Sequence, residues 1–175
     1  MEIWDLMDAQ RCPTGETAVR GTVLPQGRYH LVVNVVLFNS KDEMLIQQRH
    51  ERKDTYPGLW DISAAGSALA GEDSHQAAVR ETKEEIGVDI DLTGMPAALS
   101  FAHKHSIQDV YILRRELDPA VLQLQETEVQ AVRWASREEV LAMLEAGTFV
   151  PYAPSALKLL FELLYGLVRT PQASR

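Results

Sequence analysis

Hydrophobic and polar positions along the chain fall into short runs that change period several times. Residues 2–20 alternate loosely around a turn-like Pro13-Thr-Gly15, which predicts an N-terminal hairpin. Residues 30–38, His-Leu-Val-Val-Asn-Val-Val-Leu-Phe, form a β-branched apolar run that stops at Asn39-Ser40-Lys41-Asp42, the pattern of a buried strand and a turn. Residues 44–48 read as the returning strand. A loop over 49–59 follows, marked by Pro57-Gly58. Residues 60–63 are a short strand candidate leading into the small residues Ala64, Ala65 and Gly66. The period then lengthens: Asp73-Ser74 opens a helix that Gly87 closes as its C-terminal cap. Residues 97–101, 110–117 and 129–134 are further strand candidates. Ser136 and Glu139 have capping-box spacing ahead of a helix over 140–146, and a last helix is predicted over 155–169. In that helix Leu157, Leu160, Leu163 and Leu164 read as a core or interface stripe. Strands and helices interspersed in this way, with no repeat, low-complexity tract or linker, predict one mixed α/β domain over 1–175.

Composition narrows the class without naming it. The chain has 175 residues, 46% hydrophobic and 24% charged, which suits a globular core and not a disordered chain. There is no apolar stretch long enough for a membrane span, and the start of the chain is acidic, without an apolar signal core. Cys12 is the single cysteine, so no internal disulfide forms; it reads as a structural bystander, and a cytoplasmic location is the expectation. The formal net charge of −8 argues against broad nucleic-acid binding, which needs a basic surface. It leaves a small anionic substrate open, because a bound cation or a few local basic groups can reverse the field in one cleft.

The chemistry concentrates in residues 66–88. On the helix, Glu81 lies three residues before Glu84 and four before Glu85, so the three carboxylates share one region of the helix surface. Mutual repulsion would destabilise that arrangement, and a hard divalent cation with oxygen ligands would relieve it while bridging to phosphates. Arg80 can pair with one of these carboxylates or with Glu72 and fix their orientation. Gly66 and Gly71 allow a tight loop before the helix. A glutamate-rich helix face alone is usually a solvated surface. Here the whole spacing is Gly-x5-Glu-x7-Arg-Glu-U-x-Glu-Glu-x-Gly-U, with U a bulky aliphatic residue; fixed positions at about one in fifteen each make a chance match on the order of 10⁻⁸ per starting point. Thr82 stands where the pattern expects an aliphatic side chain, and its methyl is expected to pack inward at a modest stability cost.

This segment resembles the Nudix box. Further patterns, Trp4-Asp-Leu-Met with Pro13-Thr-Gly, Tyr29-His-Leu-Val-Val, Leu45-Ile-Gln-Gln-Arg and Gly58-Leu-Trp-Asp-Ile-Ser-Ala-Ala-Gly, are similar to the isopentenyl-diphosphate-isomerase-like branch of the Nudix superfamily. The resemblance implies an α/β/α sandwich around a mixed β-sheet, and a Mg²⁺-dependent hydrolase that cleaves a diphosphate linkage by attack of water, with Mn²⁺ as a second candidate ion. It makes Glu81, Glu84 and Glu85, with the Gly66 carbonyl, the metal ligands and Arg80 their orienting partner. The proton acceptor it implies is Glu81, Glu84 or a glutamate outside the box. Of Glu126 and Glu128, the latter is favoured because it directly precedes a strand. Dimers are common in this superfamily, so a homodimer is an assembly it admits. The isomerase activity is disfavoured, because the family places a cysteine in the strand before the box and residues 61–66 here contain none. A Nudix fold kept only as a ligand-binding or regulatory module is the other reading, and an intact carboxylate set speaks against it.

Outside the box, Arg49, Arg52 and Lys53 are candidates for capturing phosphate groups, with Arg49 and Lys53 favoured. His103 and His105 alternate with Lys104 at the end of a strand candidate, where His103 is a candidate substrate contact. Trp60 reads as core. Substrate identity beyond the diphosphate is set by loops outside the box and is not legible.

Overall fold

The structure is a computed structural model that describes residues 2–166. Strands β1 (Ile3–Met7) and β2 (Pro13–Val19) pair antiparallel as a separate two-stranded sheet. The hairpin was predicted, but its turn is displaced. Pro13-Thr-Gly15 lies within β2, and the reversal occurs over 8–12, where Asp8 accepts the amides of Gln10 and Cys12 and Arg11 takes a positive φ of 66°.

The main sheet is built on β3 (His30–Phe38), which pairs antiparallel with β4 (Met44–Arg49) and β6 (Ala64–Ser67) and parallel with β8 (Ser106–Arg114). Short β5 (Trp60–Asp61) and β9 (Val129–Ala135) join β4, and β7 (Leu99–His103) closes the other edge on β8. This is a mixed sheet, as the order of elements implied. Side chains of β3 alternate across it. Val33, Val35 and Leu37 meet Ala77, Ala78 and Ile86 of helix α1 (Ser74–Ile86) in one core. Val36 and Phe38 meet Val140 of α2 (Arg137–Glu145) and Leu157, Leu160 and Phe161 of α3 (Pro154–Leu163) in a second core on the opposite face. The chain is therefore an α/β fold with helices on both faces of a mixed sheet.

Local chemistry sets the helix ends where the sequence placed them. Asp73 caps α1 with a reciprocal bond to Gln76, Ser136 and Glu139 form the capping box of α2, and Gly87 ends α1 in the left-handed region at φ 73°. Gly87 is also tightly overlaid: a Cβ there would come within 2.8 Å of the Gln123 carbonyl oxygen. Thr82 is fully buried, its hydroxyl donating to the Ala78 carbonyl at 2.7 Å, so the polar atom at the aliphatic position is satisfied inside the helix.

Several predicted bounds differ: α2 runs over Arg137–Glu145 and not 140–146, and β5 covers only Trp60–Asp61 of 60–63. Strands β7 and β8 lie at Leu99–His103 and Ser106–Arg114, and not over 97–101 and 110–117, because the polar Ser106-Ile-Gln-Asp segment is a strand held by its parallel pairing with β3. Residues 64–67 are a strand, although their small side chains carry no strand signature. In α3, Leu157 and Leu160 are buried while Leu163 and Leu164 are half-buried; residues 167–169 of the predicted helix lie outside the described residues.

Candidate active site

A cleft of about 280 Å³ opens where β6, α1, the N-terminal hairpin and the segment before β9 meet. From β6 and α1 come Ala65, Gly66, Ser67, Arg80, Glu81, Glu84 and Glu85; Lys53 comes from the loop after β4, and Gln125 and Glu128 from the approach to β9. The ends of the hairpin add Glu2 and Arg20. Box residues reach the cleft because the helix register puts them on one side and because β6 is small. At Gly66 a Cβ would lie 2.1 Å from the Glu81 carboxyl carbon, so only glycine lets that carboxylate sit against the strand.

Arg80 organises the acids. Its guanidinium donates to both oxygens of Glu72 at 2.7 and 2.9 Å, to Glu81 at 2.9 Å, to Glu84 at 3.0 Å and to the Ser67 carbonyl at 3.1 Å. One nitrogen, Nη1, bridges Glu81 and Glu84. These bonds raise the Arg80 pKa further, those to Glu72 foremost. Glu85 lies deeper. It accepts from the Gln47 side-chain amide at 2.9 Å and the Ala65 N–H at 3.2 Å, and makes no ion pair within contact distance among the described residues. Burial pushes its pKa up to about 7, opposed by the Gln47 bond and reinforced by the charge of Glu81. Glu81 is also raised, by burial first, against the pull of Arg80. Lys53 pairs with Glu128, and burial followed by repulsion from Arg49 lowers its pKa.

Five glutamates and three basic residues line one cleft. The carboxylates do not converge as they stand. Among the described residues no group of three His, Cys, Asp or Glu side chains is gathered closely enough to hold a metal ion, since Arg80 occupies the space between Glu81 and Glu84. The donor set nonetheless suits a hard cation: it offers oxygen atoms only, the Glu81, Glu84 and Glu85 carboxylates and the Gly66 carbonyl.

The other sequence candidates separate clearly. Lys53 and Glu128 are brought to the cleft with the box. Glu126 is exposed and does not line it. Arg49 turns away to Asp61 at 3.3 Å and to the Thr55 carbonyl at 3.0 Å, where it neutralises a buried carboxylate. His103 and His105 are exposed at the β7–β8 turn, away from the cleft lining. Trp60 is half-buried against the second core under Arg133. Cys12 is exposed at the hairpin tip. Arg20, Glu2 and Gln125 were missed. Their approach depends on tertiary packing, and no local spacing signals it.

A mixed sheet with helices on both faces carries this acidic helix beside a glycine-bearing strand. The NUDIX domain family model matches residues 28–154, and the chain belongs to that family as a Nudix hydrolase. It is 43% identical over 152 residues to an uncharacterized Nudix hydrolase of Listeria monocytogenes, covering 87% of this chain and 90% of that one. It is 28% identical to the isopentenyl-diphosphate Delta-isomerase of Escherichia coli K12, over 81% of this chain and 80% of the other. A crystal structure from Deinococcus radiodurans shares the fold with a TM-score of 0.72 at 24% identity, covering 93% of this chain and 99% of that one. Nudix hydrolases act on small molecules that contain a diphosphate. No helix among the described residues is long and apolar enough to cross a membrane.

Proposed function

We propose that the protein cleaves the diphosphate linkage of a small organic diphosphate in a reaction that depends on Mg²⁺, or on Mn²⁺ in its place. The observation that carries this reading is the charge of the cleft. A diphosphate cannot enter a site where glutamates outnumber basic groups unless a divalent cation enters with it. Glu81, Glu84, Glu85 and the Gly66 carbonyl would hold that cation. Once bound, it would neutralise phosphate charge and lower the pKa of a water beside it.

The remaining work falls to the chain's own residues. Arg80 holds Glu81 and Glu84 in place and, tied to Glu72 and Ser67, keeps them on the cleft side of the helix. Lys53 and Arg20 reach the cleft from outside the box and are the cations placed to receive terminal phosphate oxygens. Water attacks one phosphorus, the bond from that phosphorus to the bridging oxygen breaks, and the bridging oxygen leaves on the other phosphate. Glu84 accepts the proton of the attacking water: it stands on the cleft side of the box helix, its side chain 51% exposed and tied to Arg80 at 3.0 Å. Strand β6, which leads into the box, brings Ala65, Gly66 and Ser67 to the cleft, with no thiol among them, which supports hydrolysis over isomerisation.

Purified protein with Mg²⁺ and a panel of nucleoside diphosphate sugars, dinucleoside polyphosphates, nucleotide cofactors and prenyl diphosphates tests the proposal. Turnover that EDTA abolishes, and that Glu84→Gln lowers by about 10² to 10⁴-fold, supports it. Binding of these compounds without any turnover would return the protein to the class of ligand-binding modules.

A further inference from the structure

The N-terminal hairpin touches the body of the protein chiefly through one of its two strands. On the β1 side, Ala70 N–H donates to the Ile3 carbonyl at 2.8 Å, Gly71 N–H to the Asp5 carboxylate at 2.7 Å, and Met7 exchanges two backbone bonds with Tyr29. The Trp4 ring also stacks on His30 at 4.1 Å. Strand β2, which leads into Arg20, pairs with β1 alone; its exposed Arg28–Glu16 ion pair is a weak tether. Beyond Met7, the tip of the hairpin itself is held by the side chain of Arg11. Its guanidinium grips Asp109 of β8 through two parallel bonds of 2.7 Å each and also reaches Ser100 of β7. Asp109 is almost wholly buried and accepts a further bond of 2.7 Å from Ser74 at the start of α1, whose hydroxyl in turn accepts from Tyr111 at 2.7 Å. A bidentate pair with one carboxylate sunk in the protein has direction as well as strength. Arg11 also holds a left-handed backbone conformation that an arginine adopts at a cost, and the grip on Asp109 offsets it.

We propose that the Arg11–Asp109 clamp is a positioning device for the cleft: by pinning the hairpin tip to β8 and to the start of α1, it holds β2 so that Arg20, at the other end, faces the bound diphosphate. This rests on the diphosphate-hydrolase reading. Arg11 is a positioning residue, distant along the hairpin from the reacting atoms, and it acts through Arg20. A clamp that served folding alone would stabilise the protein without any link to Arg20.

The test uses the full chain as Arg11→Gly, Arg11→Lys, Arg20→Ala and the Arg11→Gly/Arg20→Ala double variant. Glycine suits the left-handed backbone, so Arg11→Gly removes the grip without straining the turn. The readouts are kcat and KM on the best substrate of the panel, the Kd of methylenediphosphonate with Mg²⁺, and amide hydrogen exchange in β2. Arg11→Gly is expected to speed β2 exchange and to raise KM and Kd roughly three- to tenfold, with kcat within about twofold of wild type. Arg11→Lys should recover part of that loss. In the Arg20→Ala background Arg11→Gly should add nothing to KM, since the clamp has then lost the group it positions. A full-sized KM effect persisting in that background overturns the proposal, as does faster β2 exchange with unchanged KM and Kd. Wild type that neither turns over the panel nor binds methylenediphosphonate sinks the hydrolase reading itself, whereas wild type that binds it with no shift in Arg11→Gly sinks the clamp alone.

Discussion

Asp61 on β5 and Glu85 on α1 are both buried carboxylates served by side chains of β4, and they are supplied in opposite ways. Asp61 receives the Tyr152 hydroxyl at 2.8 Å, the Ile62 N–H at 2.8 Å and the Arg49 guanidinium at 3.3 Å, a cation among its direct partners. Glu85 receives an amide from Gln47 and a backbone N–H, both neutral, and turns toward an open cleft. Burial raises the pKa of each. For Asp61 the fold itself provides the compensating charge, and the group is a structural tie between β4, β5 and Tyr152. For Glu85 the two direct donors are neutral, and the proposed divalent cation would supply the compensating charge. Buried charge is costly in proportion to what remains unmatched, and the contrast between the two sites supports the proposed placing of a cation beside Glu85. Asp109 makes a third case, with Arg11, Ser100 and Ser74 all donating to it.

Deleting each charge in turn can break this comparison. The largest effect is expected at Glu85→Gln, with kcat/KM down about 10³-fold, or ~4 kcal/mol of transition-state stabilisation, and thermal stability in EDTA equal to wild type or higher. A lower melting temperature there would show that Glu85 is a structural group like Asp61. Asp61→Ala should do the reverse, with about 3 kcal/mol lost in denaturant unfolding because Arg49 and the Tyr152 hydroxyl lose their buried acceptor. Its kcat should stay near wild type. Gly66→Ala tests whether the acids depend on exact placement: the new methyl must push Glu81 off β6, and a loss of about 10²-fold in kcat with little change in melting temperature is expected.

The smallest effect concerns pH. Burial pushes the Asp109 carboxyl up, but the bonds from Arg11, Ser100 and Ser74 outweigh it and hold the pKa below the ordinary 3.8. The native state therefore binds fewer protons than the unfolded chain around and below that value. The stabilisation is complete above the ordinary value and fades as pH falls through the lower, folded one. Acid unfolding of Arg11→Gly should accordingly begin at higher pH than that of wild type; coincident acid transitions would show that Arg11 contributes nothing to Asp109.

The box was legible because its chemistry is written into one helix, where spacing alone decides which side chains share a side. The two helix caps at Asp73 and Ser136 were legible for the same reason, each being a bond between residues three apart. Long apolar β3 announced itself through its own side chains, whereas the polar start of β8 is a strand only because β3 lies beside it. Strand β6 was hidden by the very feature that serves the site: Ala64, Ala65 and Gly66 are small so that Glu81 and Glu85 can approach. Arg49 and Lys53 are equivalent in sequence, four apart in one basic stretch. Only the turn of the loop sends one to a buried aspartate and the other to the cleft. Arg20 had no local signal at all, since a separate hairpin must dock before it has anything to face.

The glycine that ends α1 has a consequence beyond the helix. Gly87 lies directly under Gln123, and Gln125 N–H donates to the Glu85 carbonyl at 3.0 Å, so the segment that carries Gln125 and Glu128 is seated on the last turn of the box helix. The box is therefore not a portable cassette. Transplanted into another scaffold, residues 66–88 would keep their acids but lose the far wall of the cleft. A working graft would have to carry the stretch through Glu128 as a second piece, matched to a bare glycine surface.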